Sequence, residues 1–519
     1  MDEHLRPILT RMFGPAEEGA APPILDLTPW MGEEADPLAR VSAAFLIALS
    51  STRHPDLERA TSILASADGS AARLAAFYTR GLGLVATEIE RATATDPGLA
   101  ARLDSSARSM AVKHAADDAV WEATWEAFFP EAAHIRGHEE ERVAELRANR
   151  VVAVTALASD PISDPGREVL FTSNVLLTVP ADGTNVASLP YPESLKRAIE
   201  ASATEPQQYW FDHPIQVGVK PGANELLYGL RGLDAAIESE PGQRRVTCLL
   251  SVSVTHHGLG TVTRPYVEAE LERAGGLRNI DLVAVTEDDT QEMVADVIVP
   301  ALSLRLGEEA AAVAATDLRA VLGVDGEYGR HYSFLKAVAA LWHVAIDPAI
   351  RATFKIDLDQ IFTQDVLVQE TGKTMFGHLA TSLWGATGLD SEGRRVELGM
   401  IAGALVNERD IGRGLFTPDV DLPSGRPNFD EYVFYSVLPQ AISTRAEMME
   451  RYDGPSIDGI ARALERIHVT GGTNGIRVDA LRRHRPFTPS FVGRAEDQAY
   501  ILSILGRPGP RLAYAHAAG

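Results

Sequence analysis

The stretch FKIDLDQIF, residues 354–362, sets two aspartates, Asp357 and Asp359, one residue apart in an apolar run. With the preceding AT it reads as a short strand ending at or near the aspartates. Period-two alternation puts both carboxylates on one side if the chain stays extended. Carboxylates held so close repel, and a proton, a cation or water must compensate. A divalent cation compensates best, and Mg²⁺ or Mn²⁺ prefers oxygen ligands. Such an ion would also let an acidic protein hold a diphosphate, because it inverts the local field. The plain alternative is a strand-end turn. The stretch lacks the glycine and distal glutamate of an EF-hand loop. ETGKT carries only the tail of a P-loop, and VTGGTNG lacks dinucleotide-fingerprint spacing.

Outward from this run, REVLFTSNVLLTVP, RRVTCLLSVSV and NIDLVAVTE are rich in Val, Leu, Ile and Thr and bounded by turn residues or charge, as strands are. Between and after them, YPESLKRAIEASATE, ANELLYGLRGLDAAIESE, RPYVEAELERAG and GEEAAAVAATDLRAVLG read as helices. The alternation predicts an α/β fold with a mainly parallel sheet flanked by helices, and ligands beyond the carboxyl ends of its strands. Residues 1–165 form an N-terminal helical region instead. One helix opens at Asp36–Pro37, a cap followed by proline at the first helical position. This region reads as an appendage for packing or for homo-oligomer association. His134 and His138 lie four apart and could share a helix face, more simply as a solvated charged face than as metal ligands.

The 519 residues carry a net charge of −24, which argues against nucleic acid as a partner. The single cysteine, Cys248, excludes an intrachain disulfide and sits in a strand-like run as a core thiol. The N-terminus lacks a signal-peptide core and no apolar run is long enough for a membrane span, so a cytoplasmic location is expected.

A second stretch, IHVTGGTNGIRVDALRRHRPFTPSFVGRAEDQAYILSIL at 467–505, joins a strand to a glycine-rich turn, a basic helix start and an acidic pair, Glu496 and Asp497, opening an apolar helix. The glycines permit close approach of backbone to ligand. Carboxylates at a helix N-terminus favour the ionised state a general base needs. Arg409 and Arg413, four apart in LVNERDIGRGLFTPDV, could meet a diphosphate as a lid. Asp212 and His213 in YWFDHPI read first as a turn. His256 and His257 end a strand, where one could face a cleft.

The order of D-x-D at a strand end, GGTNGIR-x-DAL and EDQAY resembles the GT-A fold of nucleotide-sugar glycosyltransferases, over residues 166–519 and in texture nearest the family-2-like and mannosylglycerate-synthase types. The resemblance implies a metal-dependent transferase using Mn²⁺ or Mg²⁺, a UDP- or GDP-sugar donor and a hydroxyl acceptor. It makes Asp357 and Asp359 metal and donor residues, and Gly471, Gly472, Thr473 and Asn474 the acceptor-side loop. Glu496 or Asp497 becomes the acidic residue at the acceptor hydroxyl, and Pro180, Ala181 and Asp182 lie near the nucleotide. It also carries a downstream metal-site histidine onto His516, the sole histidine after Glu496. The Q-x-x-R-W motif and membrane helices of processive enzymes are absent, which disfavours a polysaccharide synthase. A sugar-1-phosphate nucleotidyltransferase is the related alternative, but VPADGTNVASLP lacks the basic residue expected there. A non-catalytic nucleotide-sugar sensor is the alternative outside enzymes. The abrupt end after His516 suggests a longer natural chain.

Overall fold

The computed structural model describes residues 6–15, 25–110, 130–208, 214–242, 245–326, 334–335, 338–360, 362–403, 437–448, 457–466, 473–484 and 511–516, with positions 23, 412, 415 and 422. The chain divides into two compact units, Met1–Arg142 with Leu422–Ala441, and Val143–Asp421 with Ile442–Gly519. No helix among the described residues is long and apolar enough to cross a membrane.

The first unit is helical where it is described. The helix Pro37–Ser50 starts as its sequence requires: the Asp36 carboxylate accepts from the backbone N–H of Leu38 (2.9 Å) and Ala39 (3.0 Å). Its buried face, Val41, Ala44 and Ile47, joins Ile8, Met12 and Ile63 in the core, and Phe45 stacks on Tyr78 at 4.2 Å. His134 and His138 do not share a helix face. The helix Pro130–Ile135 ends before Gly137 (φ +83°), and His138 instead meets Glu141 at 3.2 Å.

The second unit holds an eleven-stranded sheet among the described residues. Its strands are β1 (Val151–Ala156), β2 (Val169–Thr178), β3 (Ile215–Gln216), β4 (Val246–Val254), β5 (Ile280–Val285), β6 (Ala352–Lys355), β7 (Ala386–Leu389), β8 (Arg395–Ala402), β9 (Arg462–Arg466), β10 (Asn474–Arg477) and β11 (Arg511–His516). The sheet is mixed rather than mainly parallel. Strands β6, β2, β4 and β5 run parallel, with β3 parallel to β2. β10 joins this block antiparallel to β6 and to β8. Met400 of β8 pairs with Ile476 of β10 and with Tyr514 of β11, so β10 and β11 lie on opposite edges of β8. The pairings β8–β7, β7–β1, β1–β9, β9–β11 and β11–β8 close a ring of five strands. Val152, Ala386, Val396, Leu398 and Ala463 form its core, as a small closed barrel must be filled by side chains. β1 belongs to this ring, so the sheet begins upstream of the boundary expected at 165/166.

In the parallel block, one sheet face carries Phe171, Val175, Leu177, Cys248, Leu250, Val252 and Phe354 into the largest core. Burial pushes the Cys248 thiol up to about 12, so it is an inert core group. The helices Glu193–Ser202, Glu225–Glu238 and Thr263–Arg273 follow β2, β3 and β4 and supply Leu195, Ile199, Leu226, Leu230, Leu233, Tyr266 and Val267 to the same core. Under these helices, Glu270 is fully buried and accepts from Tyr191 Oη (2.8 Å) and Asn224 Nδ2 (3.0 Å), and Arg273 neutralises it.

Candidate functional site

β2 lies at the point where strand order reverses. The chain proceeds from β2 to β4 and β5 on one side, and β6 returns on the other. Ligands of such sheets bind at the carboxyl ends of the strands flanking this reversal. Pairing of β2 with β6 runs from Val169–Ala352 to Thr172–Lys355, and Ile356 N extends it to Thr172 O (2.9 Å). Ser173 Oγ caps the exit by donating to Ile356 O at 2.8 Å. β3 takes up the same edge of β2 only at Leu177 and Thr178. β6 and β2 therefore part between these two contacts.

The second sheet face changes character along the strands. Toward their amino ends it is apolar, with Leu170, Leu249, Met400 and Ile476 in one cluster. Two residues on, period-two alternation brings Thr172, Ser251 and Lys355 to that face, and the register sets Asn474 of β10 opposite Lys355. Further along come Ser253, whose hydroxyl donates to Val324 O, and Thr178 and Thr255, whose hydroxyls are linked to each other at 2.7 Å. Thr172, Ser251, Ser253, Thr255 and Asn474 are all buried. Next to Thr255, the buried His256 holds the same hydroxyl through Nδ1 at 2.7 Å, and burial lowers its pKa. His257 is exposed.

Lys355 Nζ lies 2.6 Å from Asp357 Oδ1, with the lysine side chain only 12% exposed and the aspartate 31%. A cation on the same strand thus offsets the first carboxylate. The chain then turns at Leu358 and Asp359, so the extended geometry that would align both aspartates stops after Asp357. Asp359 is exposed and accepts from Gln360 Nε2 at 3.0 Å.

A mid-helix glycine seats this turn. A Cβ on Gly229, in the helix Glu225–Glu238, would lie 2.5 Å from the Leu358 carbonyl oxygen and closer still to its Cα. At an open helical site Gly→Ala stabilises by about 0.5–1 kcal/mol. Here Gly229→Ala is expected to destabilise by about 1–3 kcal/mol, the cost of overpacking against backbone. Denaturant unfolding checks the sign, and a stabilised variant would show that the turn does not rest on this glycine.

The other expected site residues divide clearly. Pro180 and Asp182 follow the carboxyl end of β2 in a turn closed by Thr184 N to Ala181 O (3.0 Å), with Gly183 at φ +80° and Asp182 exposed. Asn474, just after Thr473, begins β10 and lies beside the end of β6, because the two strands are antiparallel. Gly475 permits that packing, since a Cβ there would meet Phe354 at 2.8 Å and Ile401 at 2.9 Å. The sheet thus brings the end of β6, just before the D-x-D aspartates, and Thr473–Gly475 to one edge. His516 ends β11 at the same edge, yet β8 and β10 separate it from β6, about 14 Å along the sheet. Co-ligation with Asp357 would need the chain after Lys355 to fold back across both strands. Gly471, Gly472, Arg409, Arg413, Asp212, His213, Glu496 and Asp497 lie outside the described residues.

Sequence reasoning passed over Lys355, Thr178, Thr255 and the serines of β4. The alternation of Ser251, Ser253 and Thr255 in LSVSVT was the available signal for a polar face. In VTEDDTQ, Asp289 completes a capping box with Thr286 and pairs with Arg264. Glu287 instead accepts from Val324 N (2.9 Å) and Asp325 N (3.1 Å), and Asp325 in turn accepts from Val254 N (2.9 Å) at the end of β4.

Among the described residues, no group of three or more His, Cys, Asp or Glu side chains is arranged to hold a metal ion. Comparison with known protein families, with curated proteins and with solved structures gives no match for this chain.

Proposed function

We propose that the chain is a GT-A-type glycosyltransferase that moves a sugar from a nucleoside-diphosphate sugar, UDP- or GDP-linked, to a hydroxyl acceptor. One juxtaposition carries the reading: Lys355 and Asp357 leave the sheet where strand order reverses, with Asn474 of the glycine-rich segment as the cross-strand neighbour of Lys355. The oxygen donors of Asp357 and Asp359 suit a hard divalent cation, Mn²⁺ or Mg²⁺. When bound there, such an ion supplies Lewis-acid stabilisation of the diphosphate leaving group. Asp357 and Asp359 would anchor it from the chain side. Pro180 and Asp182, at the end of β2, would border the nucleotide, and Arg409 and Arg413 would contact the diphosphate. Thr473 and Asn474, with Gly471 and Gly472, would border the acceptor, whose hydroxyl proton Glu496 or Asp497 would take. A cytoplasmic location and self-association through the N-terminal helices belong to the same proposal.

A thermal-shift panel of UDP-, GDP- and ADP-sugars, each with and without Mn²⁺, tests it. A ligand that binds only the native state at a hundred times its Kd adds about 2.7 kcal/mol of stability. At least one UDP- or GDP-sugar is expected to raise the melting temperature by several degrees, and only with the metal. A panel without any metal-dependent shift removes the basis of the proposal.

A further inference from the structure

The hydrogen-bond ladder on one edge of β2 is interrupted at mid-strand. Ile356 N donates to Thr172 O and Val217 N donates to Thr178 O, so the even-numbered residues of β2 turn their backbone groups toward β6 and β3. Odd-numbered residues face β4, as Leu177 O does in accepting from Thr255 N. By this alternation Asn174 and Leu176 address the same edge as Thr172 and Thr178. The acceptor next in register for Asn174 N is Ile356 O, but Ser173 Oγ donates to that oxygen at 2.8 Å. At the other end, the Leu177–Ile215 register directs Ile215 N to Leu176 O. Three groups are left in order along the edge: Asn174 N–H, Asn174 C=O and Leu176 N–H. Among the described residues none of the three is paired. Backbone groups inside a sheet call for a partner from protein, water or ligand. Asn174 and Leu176 are only half-buried, whereas Ser173, Val175 and Leu177 beside them are buried.

Donor, acceptor, donor is a recognition pattern. Its complement is acceptor, donor, acceptor in one plane, which is the imide edge of uracil: O4, N3–H and O2. On the same edge cytosine presents donor, acceptor, acceptor, guanine presents acceptor, donor, donor, and adenine presents only a donor and an acceptor. We propose that this interrupted edge reads the uracil ring of a uridine nucleotide, which extends the sheet there as an added strand would. The edge lies between Ile356, one residue before Asp357, and β3, on the strand that leads to Pro180 and Asp182. This rests on the transferase reading for the sugar diphosphate carried by the nucleoside and narrows its donor to a UDP-sugar. Recognition of the base does not depend on transfer. Main-chain groups discriminate here because a wrong base leaves them unpaired.

Calorimetry on the full chain, with Mn²⁺ present throughout, tests this with UDP, N3-methyl-UDP, CDP and GDP as probes. The methyl group removes the central donor and keeps both flanking oxygens, the ribose and the diphosphate. UDP is expected to bind roughly tenfold more tightly than CDP or GDP, and N3-methyl-UDP roughly a hundredfold more weakly than UDP, the scale of one or two backbone groups left unpaired. Deuterium exchange resolved to single amides locates the site. In the free protein Asn174 and Leu176 N–H should exchange faster than Val175 and Leu177 N–H, which face β4. UDP should slow the first two roughly tenfold or more, and N3-methyl-UDP at the same concentration should not. Equal affinity for UDP and N3-methyl-UDP, a preference for GDP, UDP binding that leaves both amides unprotected, or no binding of any probe overturns the proposal. Sugar transfer from GDP-sugars alone overturns it and leaves the transferase reading standing. UDP selectivity with protected amides in a protein that transfers no sugar does the reverse.

Discussion

Asp357→Asn is expected to lower Mn²⁺-dependent sugar transfer on the order of 10²–10³-fold, the usual cost of losing one preorganised group that stabilises developing charge. Asparagine keeps the shape and one oxygen but loses the charge that would anchor a cation. The chain should stay folded, because Ile356, Ser173 and Thr172 hold the strand end through backbone and hydroxyl contacts that the change does not touch. Asp359→Asn should cost less. Asp359 is exposed beyond the turn and engages its neighbour Gln360, whereas Asp357 remains at the sheet face with Lys355. The measurement is kcat/KM at saturating Mn²⁺ for both variants, together with donor affinity by calorimetry. Donor affinity and turnover unchanged in both variants would remove the aspartates from the proposed site.

The strands that hold this site were legible because each is a self-contained apolar run. β2, β4 and β5 carry enough Val, Leu and Ile to be read without their partners, and β6 follows from the alternation around Phe354. The Asp36 cap was legible for the same reason, since its hydrogen bonds reach only two and three residues along the chain. The five-strand ring was not. β7, β8 and β9 are short or interleaved with charge, as in Arg395 and Glu397 or Arg462 and Glu465. Their strand character comes from pairing across long sequence separations, such as Val151 with Leu464. Pattern reading sees one strand at a time and cannot supply the partner. The expectation of a mainly parallel sheet failed there. Within the quoted run, the paired carboxylates are legible, but the part Lys355 plays is not. Its role depends on Asp357 staying on the same face two residues later, which only the path of the chain after Ile356 decides.

At the opposite, amino-terminal edge of the same two strands, Arg351→Met is expected to cost about 3–5 kcal/mol of stability, because it leaves a buried carboxylate without its cation. Glu168 precedes β2 and Arg351 precedes β6, and the strands are paired from Val169–Ala352 onward. Glu168 Oε1 accepts from Ser163 N (2.9 Å), Ser163 Oγ (2.7 Å) and Asp164 N (2.6 Å), and Arg351 binds Oε2. Arg351 also reaches Asp160 at 2.8 Å, while Arg477 of β10 donates to the Asp160 carbonyl at 3.1 Å. Burial alone would raise the Glu168 pKa. The donors from Ser163, Asp164 and Arg351 outweigh it and hold the carboxyl below its ordinary 4.5. A carboxyl depressed in the folded state contributes stability that is complete above its unfolded pKa and is lost as pH falls through the folded one. Wild-type protein should therefore lose this contribution only below about pH 4.5. Arg351→Met should raise the Glu168 pKa and bring the acid loss closer to neutrality. Glu168→Gln, which cannot titrate, should be less stable at neutral pH yet flatter on acidification. Differential scanning calorimetry across that range distinguishes the three proteins. Parallel acid slopes in wild type and Glu168→Gln would show that this cluster does not anchor the two strands through its charge.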